Sequence, residues 1–229
     1  SVLSQIPLEK RKIVKEITLD MANNMQLASR MVFPEASIVT DRFHVVKLVL
    51  EALQHLRIKY RWEAIEKENQ AIKNAKEKGV KYSPMTFEND DTPKQLLARS
   101  RYILARKESE WTENQRQRAV LLFENYPLLR QAYVHTLEFR NIYELTSKEE
   151  GRQKIIDWIS KSKSLKLTVY NTVATSLNYH LEAIINFYNN RSTNANAESF
   201  NSKIKLFRAN QRGVVDVKFF LFRLEKLFA

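Results

Sequence analysis

Apolar residues follow two different periods along this chain, and the change comes near residue 43. Before that point, the β-branched runs 13–19 and 36–40 predict strands, and the apolar residues between them recur at helical spacing as far as Pro34. A strand–helix–strand order is typical of a parallel or mixed α/β sheet. Because two strands do not make a stable sheet alone, we expect either further strands elsewhere or an incomplete chain.

Beyond residue 43 the pattern is helical. A stripe of apolar residues runs along the first helix, and the Lys/Glu/Asn-rich segment 63–82 that follows resembles a solvated helix end or a linker. Capping boxes predict helix starts near 93, 113 and 148. We expect Pro127 to separate two helices, and a last long helix to cover 165–188. The three tryptophans are expected to anchor the core of this region: Trp62, Trp111 and Trp158.

The composition supports a largely helical protein with a polyanionic partner. Only 3 of 229 residues are glycine, so tight hairpins should be rare and a glycine-rich phosphate loop is excluded. The net charge of +12 favours nucleic acid, because each phosphate contact releases condensed counterions. There is no cysteine, which excludes disulfides and thiolate metal sites. No long apolar run or signal segment is present, so we expect a soluble intracellular protein without membrane contact.

The segment 194–208 is the best candidate for a functional element. As a helix, it places Glu198 at the head of a row of amide and cationic side chains, and the opposite face is apolar and could pack on a core. This arrangement suits a metal-binding carboxylate beside a phosphate-contacting surface, although a surface salt-bridge cluster would have the same pattern. The polar row is Asn201, Lys205, Arg208 and Arg212, with Lys203 nearby; the apolar face is Ala197, Phe200, Ile204 and Phe207.

Three strings resemble those of bacterial DDE transposases of the ISL-three insertion-sequence family. They lie at 17–21 with the Phe-Pro-Glu-Ala of 33–36, at 39–47 (Val-Thr-Asp-Arg-Phe-His-Val-Val-Lys), and at 196–205 (Asn-Ala-Glu-Ser-Phe-Asn-Ser-Lys-Ile-Lys). The resemblance implies an α/β fold with a large all-α insertion. On this basis 1–45 is a partial ribonuclease H-like core, 46–188 a helical insertion with connecting helices, and 189–229 the part of the core that carries the glutamate helix.

The resemblance also implies an active site in which three carboxylates hold Mg²⁺ or Mn²⁺ in the intact enzyme. Asp20 matches the second acid and Glu198 the third, and Asp41 with His44 matches an acid-x-x-His pair. Some alignments would instead make Asp41 the second acid. Local roles remain open as well, since Asp20 could cap a helix starting at Met21, Asp41 could cap the next helix by accepting from the His44 N–H, and His44 could be a core histidine.

The function implied is DNA strand cleavage and strand transfer during transposition. The partners would be the transposon ends and the target DNA, bound by a homo-oligomer in a synaptic complex in the bacterial cytoplasm. Lys203, Lys205, Arg208 and Arg212 would contact the DNA backbone, and Asn201 a phosphate or the site. The family's first aspartate matches nothing here, so the chain is expected to be an inactive fragment. The alternative is a non-enzymatic, basic helical DNA-binding module, a decayed transposase remnant.

Overall fold

The computed structural model describes residues 2–165 and 167–228, and this part of the chain is predominantly helical. It also contains two strands, Glu16–Leu19 (β1) and Ser37–Thr40 (β2), and short 3₁₀ turns at Val2–Gln5 and Glu108–Glu110. The helices are Leu8–Ile13 (α1), Asn23–Val32 (α2), Arg42–Glu77 (α3), Pro93–Arg99 (α4), Glu113–Asn125 (α5), Pro127–Ile142 (α6), Lys148–Ser164 (α7), Thr168–Tyr179 (α8), Leu181–Ile185 (α9), Phe187–Asn190 (α10), Ala195–Asn210 (α11) and Val217–Phe228 (α12).

The two strands form a small parallel sheet joined by α2, which confirms the strand–helix–strand prediction. Glu16 pairs with Ser37 and Leu19 with Thr40, so the strands end at the same edge. β1 is shorter than predicted: α1 extends to Ile13, and Val14 and Lys15 connect it to the strand. Within the described residues the sheet has two strands only, so a ribonuclease H-like core remains a prediction.

The main hydrophobic core lies in the helical block formed by α3, α6, α7 and α8. Leu53 of α3, Tyr133 of α6, Ile155 of α7 and Tyr170 of α8 are all fully buried. The polar atoms of the aromatic side chains are mostly paired: the Tyr170 hydroxyl donates to the Ala132 carbonyl at 3.0 Å, for example. A large apolar core in which most buried polar groups are paired stabilises a helical block of this size.

The predicted helix starts are confirmed at residues 93, 113 and 148, within one residue. Thr112 and Gln115 make both bonds of a capping box: the Thr112 hydroxyl accepts from the Gln115 backbone N–H, and the side-chain Oε1 of Gln115 accepts from the Thr112 backbone N–H. Pro127 opens α6 as its first residue. These signals involve residues only three positions apart, so they act without help from the rest of the fold.

For the segment 63–82, the solvated helix end is the alternative that the structure bears out, since α3 continues to Glu77 and this part of it is largely exposed. Two predictions about the helical block need correction. Trp62 is 62% exposed on α3 and does not anchor the core, whereas Trp111 and Trp158 are buried. The predicted helix 165–188 is divided into α8, α9 and α10, with breaks at His180 and Asn186.

The residues at those two breaks contact α2 and β2. The Gln26 side-chain amide lies 3.3 Å from Nδ1 of His180, with both residues buried, and the Asn186 side chain donates to the Ile38 carbonyl of β2 at 2.9 Å. The Asn190 amide donates to the Glu16 carboxylate of β1 at 2.9 Å. The short helices α9 and α10 are therefore held against the two strands, and they bring the following segment to the sheet. None of the described helices has the length and apolarity needed to cross a membrane.

Candidate active site

Asp20 and Asp41 lie at the same edge of the parallel sheet, each directly after the end of a strand. Asp20 directly follows β1 and Asp41 directly follows β2, and the Asp41 N–H donates to the Leu19 carbonyl at 2.7 Å. Neighbouring strands lie about 4.8 Å apart, so the two aspartates begin from adjacent backbone positions. The carboxyl edge of parallel strands is where α/β proteins collect their functional side chains.

The Asp41 carboxylate is buried, and each of its oxygens accepts a hydrogen bond from a backbone N–H. Asp41 is 3% exposed. Its Oδ1 accepts from the Phe43 N–H at 2.6 Å and caps α3, and its Oδ2 accepts from the Asn194 N–H at 2.6 Å. The predicted capping role is confirmed, except that the donor is Phe43 and not His44.

Asp20 has a different environment from Asp41. It is exposed, and its Oδ1 accepts from the Ala22 N–H at 3.0 Å. The helix that follows begins at Asn23 with Ala22 in the cap position, so the alternative in which Asp20 caps a helix starting at Met21 is wrong. The Asp20 carboxylate instead closes a local turn and faces solvent, where a ligand can reach it.

Glu198 lies in the first turn of α11, close to the start of α3. Its Oε1 is 3.5 Å from Nε2 of His44, and the glutamate side chain is 56% exposed against 30% for the histidine. The Glu198 N–H donates to the Asn194 carbonyl at 2.9 Å, and Asn194 is the residue held by Asp41. The structure therefore brings Asp41, His44 and Glu198 together from segments more than 150 residues apart.

The donor chemistry of these acids fits a hard divalent cation, which prefers carboxylate oxygens and retains water ligands. Asp20 and Glu198 present exposed carboxylates, whereas both oxygens of Asp41 already accept backbone N–H groups. Over residues 2–165 and 167–228, no group of three or more His, Asp or Glu side chains is arranged to hold a metal. Convergence of Asp20 and Glu198 on one cation stays a prediction.

The cationic row predicted on 194–208 lies on the surface of α11. Asn201, Lys203, Lys205 and Arg208 are all exposed. Arg212 is exposed too, but it follows the end of α11 with φ 56° and does not continue the helical row. Exposed lysine and arginine side chains on one helix can contact successive phosphates of a nucleic acid backbone.

The prediction that the apolar face of this helix packs on a core is wrong for the described structure, because α11 has no buried residue. The face contacts α12 instead. The rings of Phe207 and Phe220 stack at 5.5 Å between centroids, Phe200 and Phe207 each meet Phe228 edge-on, and the Arg223 guanidinium lies 5.1 Å from the centre of the Phe207 ring.

Asn194 makes a contact at the candidate site that sequence reasoning missed. Its backbone N–H, not its side chain, makes the contact with Asp41, so no side-chain pattern could have pointed to it. Its only sequence signal is its place directly before the helix that carries Glu198.

Comparison with known proteins gives a consistent result. The model of the ISL-three DDE transposase family, described as "Transposase", matches residues 1–224. The transposase for insertion sequence element IS1001 of Bordetella parapertussis is 24% identical over 226 residues, which are 98% of this chain and 50% of that protein. The transposase for IS1557 of Mycobacterium tuberculosis is 26% identical over 176 residues, 76% of this chain and 38% of that protein. No solved structure matches the chain.

Proposed function

The chain belongs to the ISL-three family of DDE transposases, and from this membership we propose that it forms part of a DNA transposase active site, with Asp20 and Glu198 as its metal ligands. The intact enzyme would cleave DNA strands at the transposon ends and join them to target DNA. The chain spans about half the length of the IS1001 relative and less of the IS1557 relative, so this activity is proposed for the longer transposase.

One observation carries the proposal: the sheet edge and the start of α11 meet at Asp41. Asp20 lies at that edge beside Asp41, and Glu198 lies one helical turn after Asn194, which Asp41 holds. Both exposed acids therefore belong to segments that a single buried carboxylate joins. The exposed carboxylates of Asp20 and Glu198 are accessible to a hydrated cation, whereas the Asp41 carboxylate is buried and accepts a backbone N–H on each oxygen.

Each residue has a separate role in this proposal. Mg²⁺ or Mn²⁺, when bound, would supply Lewis acidity at the scissile phosphodiester. Asp20 and Glu198 hold and orient the cation through hard oxygen donors. His44 lies 3.5 Å from Glu198 and orients its carboxylate, or donates to a phosphate oxygen of the DNA.

The DNA would lie along the exposed surface of α11. Asn201, Lys203, Lys205 and Arg208 supply amide and cationic donors there, and Arg212 adds a charge beyond the helix end. The net charge of +12 supports binding of both the transposon ends and the target. We further propose that a homo-oligomer assembles the two ends, in the bacterial cytoplasm where the DNA is.

The test is Glu198→Gln in a full-length transposase that carries this region. Strand cleavage should fall about 1000-fold or more, because a metal ligand supports several kcal/mol of transition-state stabilisation. DNA affinity should stay within about twofold, since the neutral amide keeps the size of the side chain and removes only one exposed charge. Cleavage is followed on a labelled transposon-end duplex and affinity by gel shift without metal.

Glu225→Gln is the matched control, because Glu225 is an exposed acid on the neighbouring α12. It should cleave like the wild type. Normal cleavage by Glu198→Gln would remove Glu198 from the site. DNA binding by the wild type without any metal-dependent cleavage would favour the alternative of a non-enzymatic DNA-binding module.

A further inference from the structure

Asp41 joins three segments of the chain that are far apart in sequence. We propose that Asp41 is a positioning residue: its carboxylate fixes the first turn of α11, and with it Glu198, against α3 and the edge of the sheet. This inference rests on the proposed role of Glu198 as a metal ligand. It also separates Asp41 from the metal ligands, although some alignments would make Asp41 the second catalytic acid.

The geometry of the carboxylate is the first argument. Oδ1 accepts from the Phe43 N–H and Oδ2 from the Asn194 N–H, each at 2.6 Å, and the residue is 3% exposed. The backbone N–H of Asp41 is also engaged, donating to the Leu19 carbonyl at the end of β1. A carboxylate held from both sides by short hydrogen bonds to backbone donors is strongly oriented, and its burial limits the access of a hydrated cation.

The second argument is the position of Asn194. Its carbonyl accepts from the Glu198 N–H at 2.9 Å, which is the first hydrogen bond of α11. Fixing the Asn194 backbone therefore fixes the turn from which the Glu198 side chain projects. Asn194 occupies the cap position of α11 but makes no side-chain capping bond, so the carboxylate from a distant segment takes up a backbone donor at this end.

The third argument is that α11 has little else to hold its start. None of its residues is buried, and Phe200, its first large apolar residue, is 44% exposed. Helices in proteins are usually stabilised by tertiary packing of one face, and among the described residues the aromatic packing of α11 is against α12, towards the end of the chain. Two helix N-termini, those of α3 and α11, instead meet one negative charge, which complements the dipoles of both.

Asp41→Ser separates the two bonds of the carboxylate. Serine is a preferred N-cap residue, so its single hydroxyl oxygen can still accept from Phe43 and preserve the start of α3. It is too short, and has too few acceptor atoms, to reach Asn194 at the same time. Asp41→Ala removes both bonds. Thr112→Ala is the matched control, since it removes the capping hydroxyl of α5, far from Glu198 in the sequence.

Hydrogen exchange followed by mass spectrometry on the 229-residue chain tests directly whether the Asp41 carboxylate holds the start of α11 in place. In Asp41→Ser, amides in peptides covering 189–200 should exchange about tenfold faster or more, while peptides covering 42–50 stay as in the wild type. Thr112→Ala should change only peptides of α5. Unchanged exchange at 189–200 in Asp41→Ser would overturn the proposal, whatever the chain's activity.

The metal dependence of cleavage separates a positioning residue from a ligand. In the full-length transposase, Asp41→Ser should raise the Mn²⁺ concentration for half-maximal cleavage about tenfold, because only a fraction of molecules hold Glu198 in place. Saturating Mn²⁺ should restore the rate to within about twofold, whereas Glu198→Gln stays inactive at every concentration. A lower melting temperature with an unchanged Mn²⁺ requirement, or inactivity that Mn²⁺ does not rescue, would overturn the proposal. If the wild type shows no metal-dependent cleavage, the proposed function fails. The hydrogen-exchange result still tests whether Asp41 holds the start of α11 in place.

Discussion

The helical block and the α11–α12 pair are held in place by different forces. In the block, large side chains such as Leu53, Tyr133 and Tyr170 are fully buried. In the pair, α11 buries nothing and α12 buries only Leu224, while apolar residues such as Leu206 and Phe222 are more than half exposed. The block is stabilised by apolar burial, and the start of the pair is placed by a polar contact with Asp41. Glu198 and the cationic side chains of α11 lie in the second kind of environment, where an exposed side chain can change with little effect on folding.

Truncation of one leucine in each region is the strongest test of this difference. Leu53→Ala should lower the free energy of unfolding by about 3 kcal/mol, because it leaves a cavity in a packed core. Leu206→Ala, at a residue 63% exposed, should change it by less than about 0.5 kcal/mol. Urea denaturation followed by circular dichroism measures both. Equal losses would mean that α11 is packed as firmly as the block.

The pH dependence of stability should also belong to the block. Burial lowers the pKa of His135 to about 4. Glu138, whose Oε2 lies 3.5 Å from Nδ1 of His135, opposes that shift only in part. The ring stacks on Trp158 at 4.3 Å and bonds to Ser162. Because the unfolded chain binds a proton near pH 6.5 and the folded chain does not, this contribution is complete above pH 6.5. It is lost as the pH falls towards 4, by up to about 3 kcal/mol.

Comparison of two variants isolates the contribution of His135. His135→Gln should flatten the loss of stability between pH 6.5 and 4, and His55→Gln, at an exposed residue of α3, should leave it unchanged. Denaturation curves at a series of pH values give the difference. A profile of His135→Gln parallel to that of the wild type would show that the buried ring does not cause the acid sensitivity.

The smallest expected effect concerns the DNA binding that we propose for α11. Arg208→Ala should weaken DNA affinity and reduce the slope of log K against log salt by about 1, because one phosphate contact is lost. Its stability should be unchanged, since Arg208 is exposed. Lys154→Ala, which removes an exposed charge from α7 in the block, is the control and should keep the wild-type slope. Fluorescence anisotropy with a labelled duplex from 50 to 300 mM salt, roughly the range where such slopes are measured, distinguishes them.

Local signals predicted much of the fold. Thr112 with Gln115, and Pro127 at the first position of α6, mark helix starts through bonds or dihedral limits within one turn. The breaks at His180 and Asn186 could not be predicted, because neither residue disfavours a helix strongly enough and the second break serves a bond to Ile38, 148 residues away. The exposure of Trp62 could not be predicted either: a tryptophan is usually a core residue, but its position on α3 leaves this side chain in solvent.

For the candidate site, the sequence by itself determined which side chains are candidates for metal binding and for contacts with phosphate. Asp20, Asp41, His44 and Glu198 follow from motif and strand pattern, and the exposed cations of α11 follow from helical spacing. Only the tertiary structure decided how Asp41 is used, because its second oxygen accepts from a backbone N–H 153 residues away. Backbone donors are the same at every residue, so a contact of this kind leaves no pattern in the sequence and is set by how the helices pack.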